Sequence, residues 1–415
     1  MVQKKQLSVR IHGKQIGILE QLQTGKMIFT YDSDAQHPIS YSMPINGKIY
    51  QQGHCEAYFG GLLPESDTAK KIIARQYDIS ANNIFSLLKA IGHDCAGAIS
   101  FHEMGEPTII DSNVKRDITI IDDNNLYAHI KELPQKPLFL GFNDLRLSLA
   151  GVQDKAAVCL MDNKIALPQT GCPTTHILKP TNNTFENLCE NEFICMNLAK
   201  SVGLDVASVE IRHIKDIAYL LIERYDRVVN KDFITRIHQE DFCQALGVSS
   251  LKKHQNEGGP CLITSFGLLM HTTQPAIDRN ALARAMVFNF LIGNCDAHGK
   301  NFSLLHQDNG TISFTPLYDL LSTTFYPTLS KKMAMKIGGE YVIDRVNTAH
   351  WEKLCGSVHY NFPYLKKLIE EQRHTLLNAL EKNKDFYSDA TKNPVFAEKF
   401  SEKMRVTIST QGLKN

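Results

Sequence analysis

No Cys-x-x-Cys pair occurs in this chain, although it carries ten cysteines. No histidine stands at zinc-finger spacing from any of them, so neither a zinc framework nor a disulfide scaffold is expected. Cys159, Cys195 and Cys243 sit inside apolar runs, where a thiol acts as a small core side chain. His54–Cys55 and His93 with Cys95 are read in the same way, not as metal sites. Apolar runs near the roughly 20 residues of a membrane helix are missing. So is any excess of one charge: a formal net charge of +1 sets up no global field toward nucleic acid or membrane. Residues 1–5 lead into a strand pattern instead of an apolar signal region. With unpaired thiols, this makes the cytoplasm the expected compartment. Internal repeats and low-complexity tracts are also lacking.

What is present is ordinary globular material, 43% hydrophobic and 21% charged over 415 residues, enough for two or three cores. Its most informative stretch is Asn294-Cys295-Asp296-Ala297-His298-Gly299-Lys300-Asn301. A helix too apolar for a surface precedes it, Ala281 to Ile292, with Asp278 as expected N-cap and Gly293 as stop. Asp296 and Asn301 then stand at the D-x-x-x-x-N spacing of a kinase catalytic loop. A carboxylate there can take a proton from an attacking hydroxyl, and an amide oxygen five positions on can ligate magnesium. The spacing alone recurs by chance. The following residues add to it: strands over 302–306 and 311–315 flank Asn309-Gly310, a hairpin signal. That hairpin would return Asp319 to the side of Asn301, where a second oxygen ligand is needed. A metal-dependent nuclease, the alternative chemistry, would call for more His or carboxylate ligands nearby.

Before this stretch, residues 6–31 alternate as strands, followed by helices with Ser66 and Ser80 as expected caps. Residues 1–104 thus form a small β-rich domain with no evident chemistry. Residues 105–226 form a second unit. In it, a turn at 148–155 leads into strands over 156–161 and 164–167. Lys179 then ends a strand over 175–180, and a helix runs from about 190 to 202. Strands at 208–212 and 218–223 complete the sheet. This is the order of a kinase small lobe, in which turn N–H groups and a lysine meet phosphates and a helix glutamate pairs with the lysine. Glu190 and Glu192 both qualify, Glu192 being favoured. Gly151 is the only glycine of that turn. Residues 227–415 read as a helical large lobe, with helices at 239–246, 263–271, 278–292, 350–355 and 361–382, and a frayed tail from 407.

Taken together these parts resemble the HipA family, the serine/threonine-kinase toxins of bacterial type II toxin–antitoxin modules. The motifs are Phe59-Gly60-Gly61-Leu62-Leu63-Pro64-Glu65, Ser148 through Lys155, His176-Ile177-Leu178-Lys179-Pro180, Asn294 through Asn301, and Tyr318-Asp319-Leu320-Leu321. The resemblance spans essentially the whole chain. It implies an α+β, two-lobed kinase-like fold behind the small N-terminal domain, with ATP and magnesium as cofactors. It implies Asp296 as base, Asn301 and Asp319 as metal ligands, and Lys179 on the nucleotide phosphates. Ala150, Gly151, Val152, Gln153, Asp154 and Lys155 would form the phosphate loop, Val152 replacing a residue that is often smaller. Glu223, Arg224 and Tyr225 would meet the adenine. His298, Lys300, Tyr318 and Leu321 would line the site, and Ser148 would be the autophosphorylation position. The implied partners are a helix-turn-helix antitoxin of the HipB type, DNA through it, and an aminoacyl-tRNA synthetase as substrate, notably that for glutamate. A small-molecule kinase of the aminoglycoside or choline type is the rival enzyme. The non-enzyme rival is a nucleotide-binding partner of a DNA-binding repressor.

Overall fold

Alternating apolar side chains at Leu7, Val9 and Ile11 bury one face of β1 (Lys5–Ile11). With β2 (Lys14–Gln21), β3 (Met27–Tyr31), β4 (Ile49–Tyr50) and β5 (Ile99–Glu103) it forms an antiparallel sheet of order β4-β3-β2-β1-β5. In this computed structural model the described residues are 5–107, 117–139, 147–151, 153–169, 171–181, 185–230 and 233–413. Three helices, α1 (Gln52–Gly61), α2 (Asp67–Gln76) and α3 (Ile84–Ile91), stand between β4 and β5. Ser66 caps α2 as expected, accepting from Ala69 N at 3.3 Å. The cap of α3 is Asn83 and not Ser80: its side chain accepts from Ser86 N at 3.0 Å.

The next sheet comprises β6 (Ile118–Ile120), β7 (Ala156–Met161), β8 (Lys164–Pro168), β9 (His176–Pro180), β10 (Val209–Ile214) and β11 (Ile217–Glu223). Its order is β10-β11-β9-β7-β8-β6, with all of its pairs antiparallel. Helix α4 (Asp123–Glu132) follows β6, and α5 (Leu188–Ser201) links β9 to β10. One buried apolar cluster runs from Leu7 and Phe59 through Leu147 and Leu149 to Ala156, Leu178 and Leu221. The N-terminal sheet therefore shares a core with the six-stranded sheet.

Beyond β11 come the hairpin β12 (Arg227–Val229) with β13 (Ile234–Arg236), then β14 (His238–Asp241) and the single turn α6 (Phe242–Ala245). Helix had been expected over 239–246. Instead β14 pairs with β15 (Ser303–His306), so a distant strand partner overrides the local pattern. Between them lie α7 (Leu262–Leu268) and α8 (Pro275–Leu291). Helix α8 starts a turn earlier than expected: Pro275 takes the first position, where its missing N–H leaves nothing unsatisfied, and Asp278 lies inside the helix. The hairpin of β15 with β16 (Ile312–Phe314) forms as anticipated. A second hairpin, β17 (Lys332–Ile337) with β18 (Glu340–Val342), precedes α9 (Thr348–Val358), α10 (Phe362–Lys382), α11 (Lys384–Thr391) and α12 (Pro394–Thr410). The expected frayed tail is helix to Thr410, because Met404 and Ile408 are buried in the large-lobe core. The α+β, two-lobed architecture is that expected. No helix among the described residues is long and apolar enough to cross a membrane.

Candidate active site

The buried helix α8 ends where Gly293 takes φ +72°, and side-chain hydrogen bonds then shape the loop. Asn294 Nδ2 donates to Asn289 Oδ1 (2.7 Å), and Asn294 Oδ1 accepts from Asp296 N (3.1 Å). Asn301 Nδ2 donates to the Asp296 carbonyl (3.1 Å), which leaves the amide oxygen of Asn301 available as a ligand. The Asp296 carboxylate is half-exposed; its Oδ1 lies 3.1 Å from His254 Nε2. The β15–β16 hairpin brings the chain back to Asp319, which adopts left-handed backbone geometry (φ +57°). Such strain is uncommon outside glycine and is retained where surrounding structure over-determines it.

Lys179, at the end of β9, bridges Asp319 Oδ1 (2.7 Å) and Glu192 Oε1 (2.8 Å). Burial opposes its charge, yet Asp319 and Glu192 outweigh burial and hold the ammonium above its ordinary pKa. The Asp319 side chain keeps about a third of its surface exposed (34%); burial of the rest opposes its charge, but Lys179 and Lys155 keep its carboxyl well below the usual range. The choice between glutamates on α5 resolves to Glu192; Glu190 is buried with its Oε2 unpartnered. The turn before β7 carries Gly151 at φ +109°, a conformation only glycine adopts readily. Lys155 Nζ folds back onto the Ala150 carbonyl at 2.8 Å. Burial, and then Lys179, push the Lys155 pKa down to about 8.

These groups surround one cavity of about 1030 Å³. Of the residues expected there, Ala150, Gly151, Gln153, Asp154, Lys155, Lys179, Glu223, Arg224, Tyr225, Asp296, His298, Lys300, Asn301, Tyr318, Asp319 and Leu321 line it. Ser148 does not. It is fully buried and donates through Oγ to the Leu62 carbonyl at 2.7 Å. Val152 lies outside the described residues. Arg224 meets the cavity, but its guanidinium turns away to Asp226 (2.9 Å) and the Cys95 carbonyl (2.8 Å). Lys300 is likewise committed to Asp241 (2.7 Å) and the Gly61 carbonyl (3.0 Å). Gln153 Nε2 and His298 Nδ1 are buried toward the site without a partner. Burial holds the His298 imidazole down at about 4, so it is uncharged near neutrality. Two lysines, an unpartnered amide donor, and oxygen ligands from Asp319 and Asn301 suit a magnesium–nucleotide phosphate group.

Four side chains at the site were not singled out from sequence: Glu65, Asp241, Lys253 and His254. Glu65 closes the Phe59–Glu65 motif, in a region whose sequence shows no evident chemistry. As for a metal centre elsewhere, Cys55 and Cys95 donate to the Tyr50 and Gly92 carbonyls. The ligand atoms of His93, His102 and Glu106 do lie within 4.8 Å of one another. The two imidazoles are stacked, however, with centroids 4.7 Å apart and planes at 21°. Their in-plane lone pairs therefore do not converge on one point. Both ring nitrogens of His102 are also engaged, with Glu106 and Ser100.

A family model for the HipA N-terminal domain matches residues 7–102, and one for the HipA-like C-terminal domain matches residues 147–380. The "Putative kinase Y4mE" of Sinorhizobium fredii is 38% identical over 404 residues, 94% of this chain and 96% of that protein. The serine/threonine-protein kinase toxin HipA of Shewanella oneidensis is 31% identical over 73% of this chain and 71% of its own length. A solved structure of Shewanella oneidensis HipA, in complex with HipB and operator DNA, superposes with a TM-score of 0.83 at 25% identity, covering 97% of this chain and 96% of that one. Matched by family models in both its N-terminal and C-terminal parts, and by a kinase toxin over most of its length, this chain belongs to the HipA family of serine/threonine-protein kinases.

Proposed function

We propose that the chain transfers the γ-phosphoryl group of ATP to a serine or threonine hydroxyl of a protein, with Asp296 as general base. The observation that carries this reading is the Lys179 bridge to Asp319 at 2.7 Å, across 140 residues of sequence, at the cavity that Asp296 and Asn301 also line. The acceptor oxygen attacks the γ-phosphorus, the bond from that phosphorus to the β–γ bridging oxygen breaks, and ADP leaves with the electron pair. The hydroxyl proton passes to the Asp296 carboxylate, whose half-exposed position leaves room for an acceptor. Lys179, Lys155 and the N–H groups of residues 150–155 hold the phosphates, and residues 223–225 hold the adenine. Asn301 and Asp319 would hold magnesium, which when bound neutralises charge developing on the phosphate oxygens.

On this reading residues 1–104, 105–226 and 227–415 act as N-terminal domain, small lobe and large lobe of a growth-inhibiting toxin in the cytoplasm. A HipB-type antitoxin is the partner, as in the complex of the Shewanella oneidensis protein with HipB and operator DNA; contact with DNA comes through it. An aminoacyl-tRNA synthetase, that for glutamate first, is the substrate to test, and Ser148 is the site of autophosphorylation. Incubating the protein with labelled ATP, magnesium and a cell lysate, then identifying labelled polypeptides by mass spectrometry, tests the reading. A labelled synthetase is expected. Label in a sugar or other small molecule, or in no protein, would overturn it.

A further inference from the structure

One recognised motif takes no part in the reaction just described, and it is where the N-terminal sheet's own helices meet the site. Helix α1 ends at Gly61, and the turn over 62–65 leads to the Ser66 cap of α2. Contacts leave this turn in two directions. Toward the phosphate loop, Ser148 Oγ donates to the Leu62 carbonyl (2.7 Å), and Glu65 N donates to the Gly151 carbonyl (3.1 Å). Toward the catalytic loop, Lys300 Nζ donates to the Gly61 carbonyl (3.0 Å) and lies 3.8 Å from Glu65 Oε1. The other Glu65 oxygen accepts from Lys253 Nζ at 2.8 Å.

Lys253 reaches the same loop through its main chain, for its carbonyl accepts from Gly299 N at 3.2 Å. Its neighbour His254 touches Asp296. Glu65 is thus a nearly buried carboxylate between two ammonium groups, each tied to the segment that carries Asp296. The approach is close: a Cβ at Gly61 would stand 3.0 Å from Gln244 Cγ, so the Gln244 side chain would have to give by a few tenths of an ångström.

We propose that Glu65 is a positioning residue for phosphoryl transfer: through Lys253 and Lys300 it sets the catalytic loop, while its main chain holds the phosphate loop. The N-terminal region then completes the active centre instead of serving only as a docking module. This rests on the assignment of Asp296 as base. Side chain and main chain of Glu65 do different work, so replacing the side chain should move the chemical step and spare nucleotide binding.

The test uses full-length Glu65→Gln, Lys253→Gln and the double variant, with Asp296→Asn in parallel. Label transfer from ATP to total lysate protein is followed against ATP concentration, and thermal midpoints are recorded. Misplacing a reacting group by about 1 Å costs on the order of 100-fold, so each single variant should lose roughly 10- to 100-fold in rate at saturating ATP. The ATP concentration for half-saturation should stay within about twofold, because the main-chain bond to Gly151 survives. The double variant should be no slower than the slower single one, since both remove one contact. Wild-type saturated rates in folded variants, half-saturation rising in step with the loss, or single losses that multiply would each overturn the proposal. If Glu65→Gln does not fold, Lys253→Gln decides by the same comparison. An active Asp296→Asn would remove the base assignment itself. An inactive Asp296→Asn beside fully active Glu65 and Lys253 variants would remove only the clamp.

Discussion

His254 Nε2 lies 3.1 Å from Asp296 Oδ1, and the opposite nitrogen of the same ring lies 3.3 Å from Glu257 Oε2. The ring also packs edge-on against His298, with centroids 5.2 Å apart. The hydrogen bond to Asp296, ahead of the penalty from burial, raises the imidazole pKa above its ordinary 6.5. Below that raised pKa an imidazolium holds one oxygen of the carboxylate that must accept the substrate proton. As pH rises through it, the charge is lost and the competition weakens. The saturated rate should therefore climb through a pKa above 6.5, and His254→Gln should flatten that limb. A limb unchanged in the variant would assign it to another group.

Asp296→Asn should leave the fold and ATP affinity nearly intact while cutting phosphoryl transfer by roughly two to four orders of magnitude, because base and positioning effects are lost together. Asn301→Ala and Asp319→Ala should each abolish magnesium-dependent turnover. Asp319→Ala should also weaken ATP binding, since Lys179 would retain Glu192 alone. Calorimetric titration of ATP with and without magnesium checks both, and unchanged magnesium dependence would rule out these ligands.

Asp94, at the turn after α3, meets Arg227 (2.8 Å), Arg236 (3.2 Å) and Arg224 (3.5 Å), and accepts from Thr174 Oγ1 (2.7 Å). Burial opposes its charge, but the three guanidinium groups hold its carboxyl well below the ordinary 3.8. A depressed carboxylate contributes stability that is present above 3.8 and is lost as pH falls toward the folded value. Asp94→Ala should destabilise by about 3–5 kcal/mol, because three buried arginines lose a counter-charge and keep only Asp226 nearby for Arg224 and Arg227. Urea unfolding at pH 7 measures this; a loss below about 1 kcal/mol would place the network among exposed pairs in strength.

Lys155 offers a separate test of the phosphate loop. Its pKa of about 8 in the free protein reflects burial and the neighbouring Lys179 charge. Nucleotide phosphates favour the protonated form, so binding near pH 8 should take up a proton and weaken as pH rises further. Calorimetry in two buffers of different ionisation enthalpy detects the uptake. Lys155→Met should abolish it; equal uptake in that variant would assign the proton elsewhere.

Phosphorylation of Ser148 should inactivate the enzyme. The hydroxyl is fully buried and donates to the Leu62 carbonyl. A phosphoserine brings about −1.5 to −2 charges and cannot donate there, so the segment has to leave its seat against Leu62. ATP affinity of purified phosphorylated protein should fall at least about tenfold, a loss of about 1.4 kcal/mol. Equal affinities, or phosphate located on another residue, would remove this switch.

Short-range pattern was enough for much of this protein. Alternation of Leu7, Val9 and Ile11 marks a strand, Asn309-Gly310 marks the hairpin, and the meeting of Asp296, Asn301 and Asp319 at one cavity follows from spacing plus that turn. These features depend on backbone geometry within a few residues, which local sequence encodes. Where a long-range partner decided, local pattern misled: β14 is strand because β15 lies beside it, and residues 407–410 are helix because α12 packs on the large-lobe core. Glu192 over Glu190 was set by which face of α5 meets Lys179. Glu65 meets Lys253 across 188 residues, and Gly61 meets Lys300 across 239. No periodicity connects positions so far apart. Only the packing of the N-terminal helices against the large lobe, which buries these charges beside one another, makes them part of the site.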